Sequence, residues 1–168
     1  HVKAYQVEEA MVAAAEIRSF HPVVDYLDSL THDGAERVDT MLVRYAGAED
    51  TPYSRGVSRM LLLSAVARVR WPGCKVDTMP VLEGPQGALK SSLIYVLASG
   101  EYFSDTELPL GTKDAYQQLA GKWFQEIGEM QAMSRQDVNR VKAFITTRSD
   151  YYRPSYGRVA RDMPRHCV

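Results

Sequence analysis

The chain has 168 residues, 45% of them apolar, and a formal net charge of −1. That length holds one domain, or one domain with a helical appendage, with apolar content enough for a real core. No apolar run is long enough to span a bilayer, no secretory signal pattern is seen, and the two cysteines, Cys74 and Cys167, match no metal spacing and read as reduced thiols, so a cytoplasmic protein is expected.

Residues 7–20 are rich in Ala, Glu and Met and predict a helix. Pro22 fits the first turn of a second helix carrying Val23, Val24, Tyr26, Leu27 and Leu30. Asp33-Gly34 is a turn. A third helix runs through Val38, Met41, Leu42 and Tyr45 and ends near Gly47. Thr51-Pro52 opens the longest helix, roughly 52–70, whose centre Met60-Leu61-Leu62-Leu63 is apolar nearly all round and is expected to be buried. Residues 1–71 are therefore expected to be a helical region, with a second region over 72–168.

Trp71-Pro72-Gly73 breaks the helical pattern. Asp77–Glu83 is expected to be a strand, although Pro80 inside it removes a ladder donor. Residues 91–99 predict a helix, and Tyr102–Asp105 a short strand or turn. Thr112 can cap a helix through Tyr116 and Leu119, stopped by Gly121. Lys122–Ile127 is strand-like, with Trp123, Gln125 and Ile127 alternating against Phe124 and Glu126. Ser134-x-x-Asp137 is a capping box for a helix bearing Val138, Val141, Phe144 and Ile145. Residues 149–168 read as a β-hairpin turning near Ser155-Tyr156-Gly157. The last residues, Arg165–Val168, look like a strand beginning, and both chain ends suggest a fragment.

The stretch with chemistry in it is Gly84-Pro85-Gln86-Gly87-Ala88-Leu89-Lys90-Ser91-Ser92. Strand, Gly-rich loop and helix in that order are the setting of the phosphate-cradling pattern G-x-x-x-x-G-K-[ST]. Gly84, Lys90 and Ser91 fit it, while Leu89 stands where its second glycine belongs. Small residues such as Gly84 and Gly87 let backbone N–H groups turn toward phosphate oxygens, and the helix that follows adds a partial positive charge. In this role residues 84–92 hold ATP, Lys90 reaches its β- and γ-phosphates and Ser91 holds Mg²⁺. The plainer alternative is a Gly-rich turn before a surface helix.

Such a loop needs an acidic strand opposite it. Lys122–Glu129 is the candidate, with its carboxylates at the carboxyl end, where ligands of open α/β sheets sit. Glu129 suits the catalytic base that orients water. Glu126 can act on Mg²⁺, directly or through water, or else is an edge carboxylate paired with a lysine. The histidines, His1, His21, His32 and His166, are scattered and receive no role.

Charge is unevenly spread. Residues 135–168 hold eight Arg or Lys against three Asp, a net +5, and the remainder nets −6. A basic tail on an acidic body points to a polyanion, with a solvated charged face as the alternative. Arg153, Tyr156 and Arg158 at the hairpin, with Lys142 and Arg161 nearby, are the expected nucleic-acid contacts.

Several motifs together resemble the virulence-associated protein E family: His21-Pro22-Val23-Val24-Asp25-Tyr26-Leu27, Pro72-Gly73-Cys74-Lys75-Val76-Asp77-Thr78, Leu82–Gly87, Tyr102-Phe103-Ser104-Asp105, Gly121-Lys122-Trp123 and Tyr152–Arg158. The resemblance covers nearly the whole chain. It implies a P-loop ATPase similar to superfamily 3 helicases: an α/β, AAA-like NTPase core behind an all-helical N-terminal region. It also implies phage or mobile-element DNA replication, with DNA, single-stranded by expectation, and further copies of the chain as partners. The segment from Val141 through the hairpin would present the DNA-contacting element, and the sensor strand and any arginine finger would lie beyond Val168. Leu89 and Pro80 depart from the family pattern. The alternative is a non-hydrolysing DNA-binding or assembly module that keeps the fold. A P-loop kinase is a third possibility, and the extended basic hairpin argues against it.

Overall fold

The computed structural model describes residues 3–128, 130, 133–155 and 159–168. The chain divides into two compact units, residues 1–32 and 33–168. In the first, α1 spans Ala4–Ile17 and α2 spans Pro22–Ser29. Pro22 opens α2, where its missing N–H would have had no helical partner, and Val23 is buried.

The second unit begins with two helices that the sequence groups with the first. Helix α3, Met41–Ala46, closes on Gly47 at φ 68°, a left-handed cap that glycine reaches without a Cβ penalty. Helix α4 spans Pro52–Arg70. Its start is a capping box: Thr51 Oγ1 accepts from the Ser54 N–H at 3.1 Å and Ser54 Oγ accepts from the Thr51 N–H at 3.1 Å. Contrary to expectation, α4 is not buried all round. It buries one stripe, Ser54, Ser58, Leu61, Ala65, Arg68 and Val69, while Leu63 is exposed. The stripe includes serines because a helix lies close: Ser58 Oγ accepts from the Leu42 N–H of α3 at 3.1 Å and donates to the Ser54 carbonyl at 2.9 Å.

The expected strand over residues 77–83 is absent; these residues run without regular structure. Pro80 has no N–H to donate to a ladder. Strand β1, Phe103–Ser104, pairs in parallel with β2, Phe124–Gln125. On the other side of β2, the Val168 N–H donates to the Trp123 carbonyl at 3.0 Å and the Val168 carbonyl accepts from the Gln125 N–H at 2.9 Å. That alternation is the parallel ladder pattern, so both edges of β2 are taken.

Trp123 and Phe124 are both buried, so the predicted alternation does not hold at the strand start. Trp123 lies under α4, donating its indole N–H to the Ala65 carbonyl at 2.9 Å. Helix α5, Lys90–Leu97, meets β1 through an edge-to-face contact of Tyr95 with Phe103. Helix α6, Lys113–Gln118, is capped by Thr112, and α7, Arg135–Thr146, by the Ser134–Asp137 capping box.

The C-terminal hairpin forms as expected: β3, Ser149–Tyr152, pairs antiparallel with β4, Arg161–Pro164. Ser155 Oγ donates to Gln117 Oε1 at 3.2 Å, and the rings of Tyr116 and Tyr152 lie 5.8 Å apart, so the hairpin rests on α6. Of the expected turn, Tyr156 and Gly157 lie outside the described residues. Beneath the hairpin, Arg165 and Asp150 form a buried bidentate pair at 2.6 and 2.7 Å. Arg165 also donates to the Phe144 carbonyl and lies over the Phe144 ring.

Candidate functional site

The loop from Gly84 to Leu89 is shaped by two left-handed residues. Gly87 has φ 80°, and the Ala88 N–H closes a turn onto the Pro85 carbonyl at 3.3 Å. Leu89 has φ 56° and ψ 29° and is the residue before α5. It offers no side-chain cap, which leaves the first-turn N–H groups of α5 to solvent or ligand. The residue is 71% exposed.

Lys90 folds back over the loop. Its Nζ donates to the carbonyls of Gly84 at 3.0 Å and Pro85 at 2.9 Å. These contacts hold the ammonium group over the mouth of the loop. Gln86 and Ala88 are exposed at the turn, and Ser92 is exposed on the first turn of α5.

Ser91 is the joint between the two halves. Its Oγ donates to Glu126 Oε1 at 2.7 Å, across 35 positions of sequence. Glu126 follows β2 directly, and its N–H donates to the Ser104 carbonyl at 2.8 Å, which pins it to the carboxyl end of the sheet. Among the described residues Glu126 is paired with the Ser91 hydroxyl and not with a lysine. The second carboxylate oxygen, Glu126 Oε2, is buried with no hydrogen-bond partner among the described residues.

A hydroxyl and a carboxylate with a spare buried oxygen are hard oxygen donors. They fit Mg²⁺, which uses one or two carboxylates and takes further ligands from phosphates and water. No group of three or more His, Cys, Asp or Glu gathers for a metal among the described residues, so an all-protein metal cage is not formed there. Glu129 lies outside the described residues.

The nucleic-acid candidates Lys142, Arg153 and Arg161 are all exposed, the first on α7 and the other two at the hairpin. Tyr156 and Arg158 lie outside the described residues. Sequence reasoning missed the burial of Arg165, whose partner Asp150 becomes its neighbour only when the hairpin closes. It also missed Gln125, whose side-chain amide donates to the carbonyls of Thr106 at 3.0 Å and Glu126 at 2.9 Å.

The molecule is thus a mixed helical and small-sheet protein in which a Gly-rich loop and helix start meet the acidic end of a parallel strand. Residues 27–168 match the virulence-associated protein E-like domain, and the chain belongs to that family. No curated protein matches it. No helix among the described residues is long and apolar enough to cross a membrane.

Proposed function

We propose that the chain is a P-loop NTPase core that binds ATP with Mg²⁺ and works on DNA in phage or mobile-element replication, as superfamily 3 helicases do. The observation that carries this is the 2.7 Å bond from Ser91 to Glu126. It joins the two residues assigned to the metal from separate stretches of sequence. Residues 84–92 form the phosphate loop, and Lys90 exchanges the Gly84 and Pro85 carbonyls for phosphate oxygens when nucleotide enters. Ser91 and Glu126 hold Mg²⁺, which when bound draws charge from the β- and γ-phosphates. Glu129 orients the attacking water, the basic segment, through Arg153, Arg158 and Arg161 with Lys142 on α7, neutralises DNA phosphates, and Tyr156 stacks on a base. Further copies of the chain are the expected assembly partners.

A titration of the chain with a fluorescent ATP analogue and Mg²⁺, with and without single-stranded DNA, tests this. Lys90→Ala should weaken binding by about tenfold or more, a loss of ~1.4 kcal/mol. Equal affinity in both proteins overturns the nucleotide assignment. Glu129→Gln should leave binding intact and remove turnover.

A second function is favoured by a specific feature: the Lys90 ammonium is already engaged by the loop's own carbonyls, with the exposed Leu89 side chain beside it. A loop so closed suits a DNA-binding or assembly module that does not hydrolyse ATP. DNA binding by the wild-type chain without nucleotide binding or turnover identifies that case.

A further inference from the structure

We propose that the outward face of the C-terminal hairpin, at its root, is a stacking platform for single-stranded DNA, built from Trp71 and Tyr151. This rests on the reading that the chain works on DNA, and it adds a contact apart from Tyr156 and Arg158. Side chains alternate along a strand, and the hairpin register sorts them. Asp150 of β3 is buried, as is Arg165 just past β4, while Tyr152 meets the ring of Tyr116 on α6, so these point toward the body. Ser149 and Tyr151, with their partners Pro164 and Asp162, therefore point outward, and Tyr151 is 73% exposed.

The turn after α4 comes to that same face. Trp71 closes α4, its N–H donating to the Ala67 carbonyl at 2.8 Å, and its carbonyl accepts from the Cys74 N–H at 2.9 Å. Inside this turn the Gly73 N–H donates to the Arg165 carbonyl at 2.9 Å, and the Gly73 carbonyl accepts from Arg148 Nε at 2.8 Å. A Cβ on Gly73 would lie 3.4 Å from Pro164 Cβ and 3.9 Å from its Cα, so the turn approaches on the side to which Pro164, and with it Tyr151, points. Pro164 pairs with Ser149, and Tyr151 lies two residues further along β3, a step of ~7 Å. Trp71, held by the turn, is 68% exposed. Single exposed apolar side chains are ordinary. Two broad rings on one face, in segments fixed by backbone hydrogen bonds, offer planes for bases at little cost in ordering. Charge selects the occupant: Arg70 precedes Trp71 and Arg153 follows Tyr151 by two residues, and both are exposed. Asp162, the carboxylate opposite Tyr151, accepts from the Ser149 hydroxyl. A duplex keeps its base faces inside the stack, so an open strand is the form that fits.

The test titrates the full chain with oligothymidylate, without nucleotide, and follows tryptophan emission. The chain has two tryptophans, and Trp123 is buried, so quenching by the oligomer reports Trp71. Trp71→Ala and Tyr151→Ala should each weaken oligothymidylate binding by about tenfold while the salt slope and the melting temperature stay as in the wild type. Trp71→Phe and Tyr151→Phe keep a ring and should bind much as the wild type does. Affinity for a duplex of the same length should not change in any of the four. Unquenched emission in the bound complex, wild-type affinity in both alanine variants, or an equal loss for the duplex overturns the proposal and leaves the DNA reading in place. If the wild type does not bind oligothymidylate at all, both fall together. If Trp71→Ala keeps its DNA affinity but weakens self-association, the face belongs to a second copy of the chain and the proposal is overturned.

Discussion

Leu89 is where the sequence pattern and the backbone disagree about residue type and agree about conformation. The phosphate pattern asks for glycine there, and the chain holds the position at φ 56° and ψ 29°, a region where L-residues carry roughly 1–2 kcal/mol of strain. Leu89 is not packed into the core, since the residue is 71% exposed. The loop is therefore already in a left-handed conformation, and the isobutyl group stands in solvent at the entrance to α5. Two consequences follow for Leu89→Gly. Nothing packed is lost and backbone strain is relieved, so thermal stability should hold or rise. The space beside the phosphates opens, so ATP affinity should rise by about tenfold, ~1.4 kcal/mol, in a nucleotide titration. A fall in stability would mean that the side chain holds the loop; unchanged affinity would mean that it lies clear of the phosphate path.

At the level of elements, the chain's local signals were legible and its long-range partners were not. Thr51-Pro52 and Ser134-x-x-Asp137 place helix starts because a cap is a contact between residues three apart, visible in any sequence. Gly47 marks a helix end for the same local reason. The strand expected at 77–83 does not form, and β2 instead pairs with β1 and with Val168, partners that lie far from it in sequence. The apolar centre of α4 overstated burial because only one stripe of the helix is buried and Leu63 lies outside it. At the candidate site, residue type and order single out Ser91 and Glu126, which the fold brings into contact, while the bond from the Gln125 amide to Thr106 is seen only in the folded chain. The Asp150–Arg165 pair was hidden in the same way, and it carries a prediction. Both side chains are nearly inaccessible, and removing one partner of a buried pair leaves an unmatched charge. Asp150→Asn should cost about 3–5 kcal/mol, read as a lower midpoint in urea. A change under about 1 kcal/mol, the range of exposed pairs, would show that water reaches Arg165.

Across the whole molecule, charge separates into a basic C-terminal stretch and an acidic remainder, and the fold decides which of the basic groups face a partner. Arg165 is spent on Asp150 beneath the hairpin, Arg140 lies 3.6 Å from Asp137, and Arg148 donates to the Gly73 carbonyl. Lys142, Arg153 and Arg161 remain exposed, and the last two lie on either side of Tyr156 and Arg158 in sequence. A polyanion binding there releases one counterion for roughly each phosphate neutralised, so affinity falls linearly with salt on logarithmic axes. Arg153→Ala, Arg158→Ala and Arg161→Ala should each lower that slope by about one unit without altering the melting temperature. Tyr156→Ala should weaken single-stranded DNA binding by about 1–3 kcal/mol while leaving the slope unchanged, because a stacked base is held by its face and not by charge. Arg165→Ala is the internal contrast: the same formal charge is removed, but from the interior, so it should unfold the hairpin base before it tunes any slope. Equal slopes for the wild type and all three of these arginine variants would make the basic stretch a solvated face and send the search for a DNA contact elsewhere on the chain.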